Sequence, residues 1–258
     1  MVLVLAVLSV AAWIASADRM SGMGMGDHFT AGTLGSFVTL WVLMMAAMMF
    51  PSVWPAVAMF GLIARRRVSN GKETMGWSAS FVVGYLASWT VFGLVAFAAL
   101  AIARSAGLDG LSDTELAHYV VAPVALAAAA YQFLPFKRAC LQKCRGPLSF
   151  FLDEWRDGTR GAFVMGSRHG AYCVGCCWML MVVLLAVGVM SILWMAVVSI
   201  AIAIEKLAPT RWSRVANGAL AAGLATLAVV ALIKPSALPG LDSGGGMNEM
   251  AGTTVGWW

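Results

Sequence analysis

The feature that most constrains this chain is the run from Tyr172 to Ile204, 33 residues without a charge. As one straight helix it would be about 50 Å long, against a hydrocarbon core of about 30 Å. Two shorter helices with a break near Gly188 to Ser191 fit better. Further apolar runs cover Met1 to Ala17, Phe37 to Ala64, Trp77 to Ala103, His118 to Phe136 and Ala216 to Ile233. Only 11% of the chain is charged and 61% is hydrophobic. Soluble domains carry about 25% charge, so the expected fold class is all-α, a polytopic transmembrane helical bundle of about seven spans, with five to seven as the range.

Met1 to Ala17 ends in Ala15-Ser16-Ala17, which resembles a signal-peptidase site. No Lys or Arg precedes it, so an uncleaved first span is the preferred reading, and its shortness leaves room for a start upstream of Met1. Residues 1–258 then form one transmembrane domain. Within it, 18–36 is an outer Met-rich loop, 137–168 a cytoplasmic loop carrying cysteines, and 234–258 a flexible outer tail. With the N-terminus inside and the C-terminus outside, fourteen of the seventeen Lys and Arg fall on inner loops. Only Arg19, Arg104 and Lys234 fall outside, as the positive-inside rule requires. The localisation expected is the bacterial inner membrane, with lipid as the main surroundings. The net charge of +5 belongs to these loops, and no basic-aromatic cluster suggests nucleic acid.

On this topology all five cysteines sit at the cytoplasmic side, where thiols stay reduced. In a helix, His169, Cys173, Cys177 and Met181 recur every four residues and share a stripe, with Cys176 on the same face. Cys140 and Cys144 are also spaced i, i+4. Thiolate, thioether and imidazole are ligands for soft ions such as copper(I), with zinc and iron–sulfur sites as competitors. Nearby basic residues would favour the thiolate forms. Each cysteine alone reads as a small apolar residue; a CxxxC plus a CxxCC on one side of a membrane points to metal or redox chemistry.

Met44, Met45, Met48 and Met49 make two i, i+4 pairs in the second span, beside Pro51 and Pro55. They are candidate ligands there or plain core filler. Pro51 cannot donate to the carbonyl of Ala47, which leaves an acceptor to satisfy. Met20, Met23, Met25 and His28 are weaker candidates for an outer metal-collecting segment, with an ordinary linker as the plainer account. Tyr131 and Gln132 are polar residues within a span, and Glu205-Lys206 looks like an end-of-span ion pair. No hydrolase, kinase or covalent haem motif is present, so no enzyme activity is expected.

Several motifs together resemble one bacterial family, DUF2182, of predicted metal-binding integral membrane proteins also called copper chaperones. They are Trp41 through Pro51 (WVLMMAAMMFP), Tyr131 through Pro147 (YQFLPFKRACLQKCRGP), His169 through Met181 (HGAYCVGCCWMLM), Gly188-Val-Met190 and Glu205-Lys206-Leu207. The resemblance implies metal binding at the Cys, His and Met positions. The leading expectation is copper(I) delivery, chaperoning or transport, with a copper donor or acceptor protein as partner. A second is an accessory subunit of a larger membrane complex, such as a copper-dependent oxidase or monooxygenase. A third is a thiol–disulfide relay through Cys173/Cys176 and Cys140/Cys144.

Overall fold

The computed structural model describes residues 2–22, 34–68, 70–105, 114–187 and 192–233, and among these every regular element is a helix. In order they are α1 (Val2–Gly22), α2 (Leu34–Arg67), α3 (Gly71–Ser105), α4 (Thr114–Tyr131), α5 (Pro135–Arg145), α6 (Pro147–Glu154), α7 (Gly158–Val187), α8 (Ile192–Leu207) and α9 (Ser213–Ile233). Helix α3 packs along α7, α1 along α2, and α4 along α9, while α2 also meets α3 and α8. The all-α expectation holds.

Helices α2, α3, α7 and α9 are long and apolar enough to cross a membrane; the bent α4–α5 pair makes a fifth if counted as one span. Among the described residues that makes four or five, at or below the lower end of the expected five to seven. The apolar part of α1, Leu3–Asp18, is short, and the 16 residues of α8 reach only about 24 Å. The long apolar run does divide where its length demands: α7 ends at Val187 and α8 begins at Ile192.

The tightest crossing is between α3 and α7, and it is built on glycine. A Cβ at Gly166 would overlap the Phe81 carbonyl, and one at Gly84 would overlap the Phe163 carbonyl. Gly166 and Gly170 form a GxxxG pair, which lets two helix backbones approach closely. Helix α2 is enclosed throughout Met44 to Phe50. Its proline defect is repaired by a neighbour: Ser9 of α1 donates to the Ala47 carbonyl that Pro51 leaves free, at 3.1 Å. Ser199 of α8 donates to the Met48 carbonyl at 3.2 Å and ties α8 to α2.

The stretch expected as a long loop, 137–168, is largely helical, and this changes where the cysteines sit. After α4 the chain tightens through i→i+3 bonds from Gln132, Phe133 and Leu134. Leu134 is extended (φ −65°, ψ 139°), the conformation a following proline imposes, and Pro135 opens α5. The axis turns by 67°. Helix α5 buries Lys137, Cys140 and Leu141, with Cys144 half-buried on the same face. Charge counting marks this segment as a loop, yet that i, i+3, i+4, i+7 stripe is amphipathic. Gly158 (φ +82°) starts α7 fourteen residues before the expected Tyr172, in a conformation L side chains rarely adopt.

The expected outer loop is also shorter at its start, because α1 continues to Gly22 and includes Met20 in its backbone. Met23, Met25 and His28 lie outside the described residues, as does the tail 234–258.

Candidate functional site: a buried thiol cluster beneath α5

Cys173 lies halfway along α7, fifteen residues from its start, or about 22 Å along the axis. The site is therefore deep among the helices and capped by α5 and α6. His169, Cys173, Cys176, Cys177 and Met181 are all buried, at 3% exposure or less, so the stripe read from the sequence faces inward.

Cys176 and Cys177 both donate to the Cys173 carbonyl, at 3.1 and 2.9 Å. The Cys173 sulfur itself points elsewhere. It receives the Lys206 ammonium at 2.9 Å and meets the Tyr85 hydroxyl at 3.0 Å. Lys206 also donates to the Ser52 hydroxyl at 3.2 Å. Helices α3 and α8 thus converge on one sulfur of α7, and α2 joins them through Lys206.

Helix α5 adds the second pair of cysteines. Cys144 Sγ stands 4.0 Å from Cys176 Sγ. Cys140 packs over Gly175, where an added Cβ would lie only 2.7 Å from its sulfur. Tyr131 donates to the Gly175 carbonyl at 2.5 Å, tying α4 to the same turn. The two cysteine groups therefore meet in space, although 32 residues separate Cys144 from Cys176.

The meeting is narrower than a shared pocket for every donor. Among the described residues, no three His, Cys, Asp or Glu side chains are arranged around one point in a way that would hold a metal ion. His169 sits one turn before Cys173, ringed by Phe150, Phe81 and Tyr85 at centroid distances of 5.3, 6.0 and 6.3 Å. Its Nδ1 is buried without a hydrogen-bond partner. Met181 is buried two turns beyond Cys173. Met44, Met45, Met48 and Met49 are all enclosed in α2. Of these, Met45 and Met48 precede Ser52 by seven and four residues and so share its face, which leads toward Lys206.

A cavity of about 270 Å³ opens beside this cluster. Its wall includes Ser52, Cys144, Arg145, Pro147 and Lys206. Of these, only Cys144 was singled out from the sequence as a ligand.

Glu205 and Lys206 do not pair with each other as expected. Glu205 accepts from Lys137 at 2.7 and 2.9 Å, and Lys137 also donates to Gln132. Arg145 Nε donates to the Glu205 carbonyl at 2.6 Å. The end of α8 is thereby clasped to α5, which holds Cys144 over α7. A hint was present in the sequence: charged residues adjoining an apolar run require partners, and the cheapest ones are inside the bundle.

Fold and site together define an all-α bundle with apolar helices of membrane-crossing length and two facing thiols, Cys144 half-buried at a cavity wall and Cys176 buried behind it. The copper chaperone family PpoB2 matches residues 38–231, well over half of the chain, and the chain belongs to that family. The matched span contains all five cysteines, His169 and the methionines of α2, and leaves out Met20, Met23, Met25 and His28. A copper-related function follows from that membership. No curated protein and no solved structure matches the chain.

Proposed function

We propose that this protein is a membrane-embedded chaperone that takes copper(I) onto Cys144 and Cys176 and passes it to an acceptor. The observation that carries the proposal is the 4.0 Å separation of the two sulfurs on different helices. Metal–thiolate bonds of roughly 2.3 Å spanning that gap would subtend about 120°. Two sulfurs at that angle leave one side open, as a carrier needs for exchange. Structural zinc favours four ligands, and an iron–sulfur cluster is typically held by four cysteines, so a two-thiol site suits copper(I) better.

The surroundings support the same reading. Cys173, held by Lys206 and Tyr85, is a further buried sulfur on α7, three residues before Cys176. The Ser52–Met48–Met45 face of α2 offers soft thioethers along the next helix. With the basic ends of α2, α7 and α8 facing the cytoplasm, the site lies beneath the inner surface of the bacterial inner membrane. Met20, Met23, Met25 and His28 would then collect metal on the other side.

The test is to purify the protein from copper-supplemented cells and measure copper per chain. Cys144→Ser and Cys176→Ser are expected to lose the bound metal, while Cys140→Ser retains it. Unchanged copper in both of the first two variants would refute the proposal.

A further inference from the structure

The cavity beside Cys144 has an unexpected sign for a metal entrance. Two of its lining residues are cations, Arg145 and Lys206, and no Asp or Glu lines it. Lys206 is 8% exposed. Arg145 spends only part of its guanidinium on the fold: Nε is tied to the Glu205 carbonyl, while Nη2 is buried with no hydrogen-bond partner. Two like charges in a wall repel an approaching bare cation, the more so where water is scarce. A guanidinium that keeps an unpartnered Nη2 is, by contrast, a group well suited to bind a carboxylate.

We infer that copper(I) enters this cavity as an anionic complex, carried by a small thiol that bears a carboxylate, and that Arg145 and Lys206 bind that carboxylate. This rests on the copper reading above and adds the chemical form of the cargo. The volume of about 270 Å³ suits a small carrier and leaves no space for a folded donor domain. Transfer is ligand exchange. Each copper–sulfur bond to the carrier that breaks is replaced by one to Cys144 or Cys176. Copper remains copper(I), no electron moves, and the proton released by each incoming thiol goes to the departing carrier thiolate.

The test compares two carriers of nearly equal size on the full-length purified protein. Copper(I) is presented anaerobically as its 3-mercaptopropionate complex or as its 3-mercaptopropanol complex, and bound copper is followed against carrier concentration. The carboxylate carrier is expected to half-saturate at about tenfold lower concentration, the factor for one charge-assisted hydrogen bond. Arg145→Gln is expected to bring the carboxylate carrier down to the level of the alcohol. Equal loading of wild-type protein from both carriers would overturn this inference and leave the copper reading standing. Loading from neither would overturn both. The wild-type comparison decides even if the Arg145 variant does not fold.

Discussion

Among the described residues two lysines are buried, Lys137 and Lys206, and they are partnered in opposite ways. Lys137 on α5 faces a carboxylate: Glu205 takes its charge and Gln132 takes a further proton donor, with the lysine fully enclosed. Lys206 on α8 has no carboxylate within ion-pair distance among the described residues. Its neighbours are the Cys173 sulfur and the Ser52 hydroxyl. The first arrangement is closed, since its charges cancel and its geometry resists change. The second is open, because a thiol can be charged or neutral and a sulfur can exchange its partner for a metal. One lysine fastens α5 to α8, and the other stands at the cavity where exchange would occur.

That contrast predicts unequal costs. Lys137→Met strands Glu205 without its partner and should destabilise by about 3–5 kcal/mol, read by thermal unfolding in detergent. Pairing it with Glu205→Leu should recover most of the loss. No recovery would show that the pair is not the fastening that matters. Gly166→Ala should cost about 1–3 kcal/mol by forcing α3 and α7 apart at Phe81, without abolishing copper binding if the protein folds. Lys206→Met should cost less than Lys137→Met, about 1–2 kcal/mol, because Cys173 can remain buried as a neutral thiol. An equal or larger loss would erase the distinction between the two lysines. The smallest effect is expected of Ser9→Ala, about 0.5–1.5 kcal/mol for the donor it removes from the Ala47 carbonyl.

Much of the architecture was legible from periodicity and length. The 33-residue run has to divide, and its two described helices, α7 to Val187 and α8 from Ile192, do fold back so that Lys206 meets Cys173. The fourfold spacing of His169, Cys173, Cys177 and Met181 placed them on one buried face. What could not be read was partnership across distance. Lys137 and Glu205 are 68 residues apart, Lys206 and Cys173 are 33 apart, and Lys206 and Ser52 are 154 apart. Local rules pair neighbours, so they match Glu205 to Lys206, whereas Glu205 pairs with Lys137 and Lys206 with Cys173. The α5–α6 segment was hidden for a different reason. Its charge suggests a loop, and the helix that carries its stripe is only eleven residues long. The methionines of α2 lie in a helix long and apolar enough to cross a membrane. Burial of all four means that packing and metal binding leave the same trace there.

The most direct test of the central claim is X-ray absorption on the copper-loaded protein and on its Cys144→Ser variant. The account predicts a copper(I) edge with a first shell of sulfur in the wild type, and loss of one sulfur or of the metal itself in the variant. A first shell without sulfur, or one that the variant leaves unchanged, would contradict it.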